Sequence, residues 1–328
     1  MSKQKLLYRE QDYANFLCGW LRPLVEDVFD LVAYDPTQKY SQDYAVYTTY
    51  QQDYYKQNAS AWFRQLEVNG HPIIIDHLLD GDVDTASEYD GNRLTIRSGH
   101  WMWYSTAIRA VDDGYDRYRP QRNITHDFLM LMNKQREHRD RVARELANEL
   151  THARWSYVEG GRPLDDPTER SSPVFWEFYM NPQWYDSTRF SLVVESWMRS
   201  DPWFSAPTGR SYKTEVSEKV YKPLAWYHPF IVFGSVDTLK FIRSQGFETF
   251  DNLWDESYDQ ATTDAGRFDQ VVQLVKDILP THNRMSGSFD SLTEEKLAHN
   301  HARFFDMSLV HDRFRNEILR EIEEFICK

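Results

Sequence analysis

Four short and nearly unbroken apolar runs constrain this chain more than any other feature: residues 71–79, with Ile73-Ile74-Ile75 at their centre, Phe128–Met132, Phe190–Val194 and Phe230–Phe233. Runs without polar alternation mark strands covered on both faces, and strands of that kind belong to parallel sheets whose crossovers are helices. Helical patterns stand where those crossovers are needed. Residues 134–150 carry an apolar face of Val142, Leu146 and Leu150, and Glu218 to about Tyr227 is stopped by His228-Pro229. Ser235 to Gln245 is followed by Gly246, and residues 264–279 run up to Pro280. Strands and helices alternating in two blocks predict the α/β class, and two such domains facing a cleft form the economical architecture.

The remaining chain is read from weaker signals. Residues 34–55 hold seven tyrosines, and Tyr40, Tyr44, Tyr47 and Tyr54 recur at roughly helical steps continued by Ala59, Trp62 and Phe63. That spacing predicts an amphipathic helix over 41–66, packed through tyrosines or offering them to sugars or bases. A polar loop (80–92) leads to a short strand, Leu94–Arg97, and to the aromatic cluster Trp101, Trp103 and Tyr104. Residues 105–123 are polar, and Arg119–Asn123 reads as an interdomain linker. The capping-box sequence Ser291-Leu292-Thr293-Glu294 opens a long final helix with a buried stripe at Phe314, Ile318, Ile322 and Phe325. The expected division is an N-terminal lobe (1–120), a second lobe (121–285) and a C-terminal helix (286–328) packing back on them.

Composition removes several classes of function. The 328 residues have 15% aromatics and 41% apolar residues, too many for a disordered chain. No stretch approaches the roughly 20 apolar residues that span a bilayer, so no membrane partner is expected. The N-terminal residues lack the apolar core of a signal peptide, and the two cysteines, Cys18 and Cys327, exclude a disulfide framework and a cysteine-built zinc cluster. Together these point to the cytoplasm. A net charge of −13 excludes a protein that coats nucleic acid by neutralising phosphates. Phosphate-binding, dinucleotide and serine-hydrolase motifs of the G-x-x-x-x-G-K-[ST], G-x-G-x-x-G and G-x-S-x-G types do not occur. Asp80-Gly81-Asp82 has the form of a metal-diphosphate tripeptide, but such tripeptides are common in acidic loops. Read as a calcium loop, the same segment has Thr85 where a glycine is required. His299 and His301, two apart on a helix, point away from each other. No metal site is expected.

Positive charge nonetheless collects at one place. Lys134, Arg136, His138 and Arg139 lie at the start of a helix that follows a buried strand. Cations at that end oppose the helix dipole unless an anion is bound, and guanidinium forks beside free backbone N–H groups suit phosphate. A solvated charged face is the other reading, because Glu137 and Asp140 are interleaved. Ser217-Glu218-Lys219 opens another helix, with Ser217 as N-cap, and Glu195 stands at the exit of the Phe190–Val194 strand. Ligands of open α/β sheets collect at such carboxyl ends.

These segments, in this order, resemble the donor-binding half of fucosyltransferase-like GT-B enzymes over about residues 128–260. The family pattern F-x-L-x-x-E-N-S is met by Phe190, Leu192, Glu195 and a serine at Ser196, where the family has asparagine. Its T-E-K is matched by Ser217-Glu218-Lys219, its P-V-x-x-G by the segment ending at Gly234, and its N-x-x-R-x-H-R by Asn133–Arg139. Phe230–Asp259 is also similar to uncharacterised glycosyltransferase-like proteins of bacteria and tailed phages. The resemblance implies a GT-B-like fold of two Rossmann-like domains. It implies a nucleotide-sugar donor as co-substrate, with Arg136, Arg139, Lys219 and the neighbouring Lys134 on the diphosphate and Glu195 and Glu218 on ribose or sugar hydroxyls. No separate cofactor is implied.

A metal-independent, inverting transferase then needs a base from the N-terminal lobe, and a carboxylate ending a buried strand is the expected place. Asp76 fits, with His77 as the alternative; a capped strand end with a core histidine is the structural reading of the same pair. The acceptor would be a glycan hydroxyl or a modified base in phage DNA, the latter because residues 117–144 hold eight Lys+Arg and fewer acids. The rival from another class is a non-catalytic module that binds a glycan or nucleotide through its aromatic surfaces.

Overall fold

The structure, a computed structural model, describes residues 3–8, 22–41, 44–50, 66, 68–77, 88–91, 93–96, 101–162, 181–196, 214, 216–282 and 289–327. The chain forms two compact units, one of residues 1–109 with 306–328 and the other of residues 110–305.

The first unit contains β1 (Gln4–Tyr8), α1 (Arg22–Glu26), β2 (Phe29–Ala33), β3 (Tyr44–Tyr50), β4 (Ile73–His77), β5 (Glu88–Asp90) and β6 (Arg93–Ile96). They make a sheet of order β2-β1-β3-β4-β6-β5, parallel except for the edge strand β5. Leu7, Val46, Leu66 and Ile73 form its core cluster, against which Val32, Tyr34, Tyr40 and Tyr44 pack. The helix expected over 41–66 is therefore corrected across its first part: residues 44–50 are a strand between β1 and β4, and residues 51–65 lie outside the described residues. Tyr, Val and Thr are strand formers, and the run Tyr44-Ala45-Val46-Tyr47-Thr48-Thr49-Tyr50 follows that preference rather than the tyrosine spacing. Asp80-Gly81-Asp82 also lies outside the described residues.

The helix α2 (Trp101–Asp112) replaces the polar stretch expected from 105 onward, and the boundary between the units falls inside it, at Arg109/Ala110. Buried Trp103, Tyr104, Ala107, Ile108 and Ala110 explain why it persists as a helix. Arg119–Asn123, expected as a linker, lies instead within the second unit: the N–H groups of Gln121 and Asn123 donate to the carboxylate (3.0 Å) and the carbonyl (2.9 Å) of Asp186.

The second unit is built from β7 (His126–Met132), α3 (Glu137–Glu145), β8 (Arg154–Tyr157), α4 (Pro182–Asp186), β9 (Thr188–Val194), α5 (Glu218–Ala225), β10 (Phe230–Phe233), α6 (Thr238–Ser244), α7 (Asp264–His282) and α8 (Ser291–Phe304). Its sheet, β10-β9-β7-β8, is parallel throughout. Every residue of β10 is buried, and Phe128 of β7 stacks on Phe190 of β9 with centroids 5.5 Å apart. Burying each such ring contributes about 1.5–3 kcal/mol. The two units thus establish the α/β class with two parallel-sheet, Rossmann-like units.

The C-terminal region departs from one long helix. Asp290, not Ser291, caps α8, accepting the Thr293 N–H at 2.8 Å, while Glu294 pairs with Arg122. The helix stops at Phe305-Asp306, where Asp306 caps a new start by accepting from Leu309 N–H at 3.0 Å. From there the chain is helical from Met307 to Ile326: α9 (Met307–Phe314), a π-turn (Arg315–Leu319) and α10 (Arg320–Ile326). This part joins the first unit through Tyr104, whose hydroxyl donates to Glu317 at 2.8 Å, and Phe314, Ile318, Ile322 and Phe325 are buried as expected. Among the described residues no helix is long and apolar enough to cross a membrane.

Candidate functional site

The strand order of the second unit reverses between β7 and β9, since β8 lies outside β7 on one side and β10 outside β9 on the other. Crossovers leave the sheet in opposite directions at such a point and open a crevice at the carboxyl ends. The residues there are the β7–α3 loop, the start of α3, Glu195 just past β9, and the start of α5.

Helix α3 begins later than expected. Arg136 is its N-cap residue in extended conformation (φ −147°, ψ 147°), so Lys134, Gln135 and Arg136 belong to the loop. The turn after β8 grips this loop: Val158 N–H donates to Met132 O at 3.1 Å and Glu159 N–H to Asn133 O at 2.9 Å. The Glu159 carboxylate accepts the Gln135 N–H at 2.8 Å and pairs with Lys134 at 3.3 Å. The Gln135 N–H holds its carboxyl below the usual range, outweighing the small burial cost, with Lys134 and Arg136 helping. Tyr157 adds a second tie, donating to Asp140 at 2.6 Å and accepting the Arg136 N–H at 3.4 Å.

His138 and Arg139 turn inward from the first turn of α3. His138 Nε2 lies 2.9 Å from the Glu195 carbonyl, and because a carbonyl accepts, Nε2 carries the proton. Arg139 is fully buried. Its guanidinium donates to Lys134 O (3.1 Å), Val194 O (2.9 Å) and Ser196 Oγ (3.2 Å), while its Nε has no partner among the described residues. Burial lowers its pKa, against the pull of Glu195 and Glu218.

The start of α5 meets the same point. Glu195 N–H donates to Phe233 O at 2.9 Å, which carries the β9–β10 ladder one step further and fixes the side chain at the sheet edge. Its carboxylate, 3% exposed, accepts from Ser217 N–H (2.9 Å), Ser217 Oγ (2.6 Å) and Ser196 N–H (3.3 Å). Gly234 leaves room for it, since a Cβ there would stand 3.1 Å from Glu195 Cγ. Ser217 is the N-cap of α5, as the sequence indicated. Lys219 Nζ donates to Glu218 Oε1 at 2.6 Å and to Ser217 Oγ at 3.2 Å. Burial presses on both members of this pair. For Glu218, Lys219 and Lys222 more than offset it and leave the carboxyl below its ordinary pKa; for Lys219, Glu218 and Glu195 more than offset it and leave the ammonium above its own. The ammonium stays charged, and its side chain is one-fifth exposed.

The second unit thus gathers Arg136, His138, Arg139, Glu195, Glu218 and Lys219, with Lys134 at the rim. Asp76 and His77 lie in the other unit as the last two residues of β4, and their side chains are outside the described residues. The basic segment 117–144 is largely spent on internal pairs: Arg122 with Glu294, Lys134 with Glu159, Arg141 with Asp269, and Arg139 buried. His299 and His301 face separate carbonyls, of Gly246 and Ala225.

No family model matches the chain, and no curated protein does. Among solved structures, one of alpha1,3-fucosyltransferase is similar at 10% identity, covering 94% of this chain and 92% of that one with a TM-score of 0.43. Another, with GDP-fucose, shows 9% identity, 93% and 90% coverage and a TM-score of 0.41. A third, with GDP, shows 10% identity, 94% and 92% coverage and a TM-score of 0.40. The α/β assignment stands on the strand orders and registers of the two sheets.

Several residues of the site carry no obvious signal in the sequence. Tyr157 and Glu159 enter from the end of β8 and the turn after it, a strand that short polar-aromatic sequence did not announce. Ser235 follows β10 at the same sheet end, and its buried hydroxyl has no partner among the described residues. Arg267, from α7, donates to Gly234 O at 2.8 Å and so fixes the turn beside Glu195. A lone arginine in a helix start gave no reason to look there.

Proposed function

We propose that the chain is a glycosyltransferase moving a sugar from a nucleotide-diphosphate donor to a hydroxyl acceptor. One observation carries the reading: the starts of two helices, α3 and α5, meet at Glu195 on the strand-order reversal, bringing a guanidinium and a charged, partly exposed ammonium to the carboxyl end of a parallel sheet. First-turn N–H groups have no intrahelical acceptor, and with nearby cations they favour an anion. The order of the matching segments in the sequence supports the same ligand.

In this proposal Lys219 and Arg136 contact the donor diphosphate, and Lys134 joins them when Glu159 releases it. Arg139 acts from below, holding the ends of β7 and β9. Glu218 is offered as the contact for ribose or sugar hydroxyls. Asp76, or His77, takes the proton from the acceptor hydroxyl; the oxygen attacks the anomeric carbon, the bond to the diphosphate breaks with inversion, and the cations stabilise the charge that develops on the leaving group. Cationic side chains supply that countercharge without a metal. The acceptor is a glycan or a modified DNA base, and steeply salt-dependent binding of DNA would select the second.

The test is a thermal-shift screen with UDP-, GDP- and dTDP-sugars, using a CMP-sugar as the monophosphate control, followed by measurement of released nucleoside diphosphate with and without EDTA. A stabilising diphosphate sugar whose turnover survives EDTA supports the proposal. Stabilisation without any diphosphate release would favour a binding module, and no stabilisation by any donor would remove the reading.

A further inference from the structure

Glu195 uses its carboxylate inside the fold. A carboxylate offers about four acceptor positions. Three are taken by Ser217 N–H, Ser217 Oγ and Ser196 N–H, the residue is nearly inaccessible, and Gly234 packs against its stem. A ribose or sugar hydroxyl would have to displace one of these bonds to reach it.

Ser217 has one hydroxyl proton, and at 2.6 Å from Glu195 Oε2 that proton has a defined direction, because an ionised carboxylate can only accept. The hydroxyl lone pairs are thereby turned toward donors. Among the described residues both polar hydrogens offered to them come from one residue: Lys219 N–H at 3.4 Å and Lys219 Nζ at 3.2 Å. Glu218 Oε1, at 2.6 Å, fixes the ammonium from a second direction. We infer that Glu195 is a positioning residue, not a donor contact, and that it aims the Lys219 ammonium through the Ser217 hydroxyl. The meaning of that aim rests on the reading of Lys219 as the diphosphate contact; the relay itself does not. Glu195 also adds to the charge that keeps Lys219 protonated against burial, second to Glu218.

The relay is tested on the full chain by the pH dependence of Lys219 acylation with acetic anhydride, read by peptide mass spectrometry in wild type, Glu195→Gln and Ser217→Ala. Circular dichroism and melting temperature establish that each variant is folded. Removing an opposite charge a few ångströms away shifts a pKa by about 1–3 units. In Glu195→Gln the midpoint for Lys219 reactivity should therefore fall by about one unit or more, with about tenfold faster acylation at pH values below both midpoints. Ser217→Ala should raise Lys219 reactivity while leaving the carboxylate in place, and both variants should bind inorganic pyrophosphate more weakly.

Folded variants that keep the wild-type midpoint and reactivity overturn the relay. An unchanged Lys219 profile in Glu195→Gln combined with lost nucleotide-sugar binding would make Glu195 a direct contact and also overturn it. If Glu195→Gln fails to fold, Ser217→Ala decides. A shifted profile in a protein that binds no nucleotide sugar leaves the relay standing and removes the transferase reading.

Discussion

Arg139 donates to the main-chain carbonyl of Val194 at 2.9 Å from a fully buried position, and this bond ties the first turn of α3 to the last residue of β9. The same guanidinium reaches Lys134 O and Ser196 Oγ, so one side chain joins the exits of both strands at the point where their order reverses. Arg139→Ala would strand these acceptors and leave Glu195 without its buried countercharge. Loss of about 3–5 kcal/mol is expected in urea denaturation. Arg139→Lys cannot reproduce a planar three-acceptor fork and should still lose about 1–3 kcal/mol. A melting temperature within about 2 °C of wild type for Arg139→Ala would contradict the bracing role.

Removing Lys219 should be visible in Glu218 before any ligand is added. In the wild type the Glu218 carboxyl sits below its ordinary pKa, so its contribution to stability is present above the unfolded value of about 4.5 and is lost as pH falls through the folded one. Lys219→Ala leaves burial opposed by Lys222 and the backbone N–H of Glu218. The folded carboxyl should then move upward and the neutral-pH contribution should shrink or reverse. Melting temperature between pH 4 and pH 8 should rise less in the variant than in wild type; parallel curves would show that Lys219 does not hold the charge on Glu218.

His228 makes a second pH-dependent element, at the opposite end of β9. Its Nε2–H donates to Thr188 O at 2.9 Å, which leaves Nδ1 to accept from Ser191 Oγ at 2.8 Å, so the ring is neutral. Burial pushes its pKa down to about 3, outweighing the opposing bond to Thr188, and Arg122 adds a smaller push in the same direction as burial. Between pH 6.5 and 3 the unfolded chain binds the extra proton, so stability falls with pH across that window. The full shift corresponds to about 5 kcal/mol. His228→Gln, which can keep one donor and one acceptor, should flatten this part of the pH–stability profile; an unchanged acid slope would contradict it.

Two adjacent glycines separate two physical causes. A Cβ on Gly160 would stand 2.4 Å from Cδ1 of Tyr157, whereas a Cβ on Gly161 meets nothing within 4 Å but requires φ +85°. Gly160→Ala must move the ring that holds Asp140 and the Arg136 N–H, at a cost of about 1–3 kcal/mol. Gly161→Ala carries backbone strain alone, about 1–2 kcal/mol, and should leave anion binding at the β7–α3 loop intact. Urea denaturation and pyrophosphate titration of both variants check the difference: only Gly160→Ala should weaken pyrophosphate.

The parallel strands were legible because double burial writes itself as apolar runs: β7, β9 and β10 fall where Phe128–Met132, Phe190–Val194 and Phe230–Phe233 placed them. The strand β3 was not, because tyrosines three or four apart imitate a helix and nothing local shows that Val46 lies between two other strands. The charged cluster was legible as a set of residues but not as a set of directions. Arg139 and Arg136, three apart at the start of a helix, look equivalent until the N-cap position is known. One is then buried under the strand ends and the other stays at the loop. Glu159 was invisible because its role comes from a turn packed on another loop 24 residues away.

The most direct test is calorimetric titration of nucleoside diphosphates, matched nucleosides and inorganic pyrophosphate into wild type and Lys219→Gln, a variant that keeps a neutral donor for Glu218 and Ser217. Losing a charged hydrogen bond of about 1.5–3 kcal/mol corresponds to roughly 10- to 100-fold in affinity. Wild type should bind at least one nucleoside diphosphate far more tightly than its nucleoside, and Lys219→Gln should lose that preference while remaining folded by circular dichroism. Failure of every nucleoside diphosphate to bind wild type, or equal binding by Lys219→Gln, would contradict a diphosphate site at the meeting of α3, α5 and Glu195.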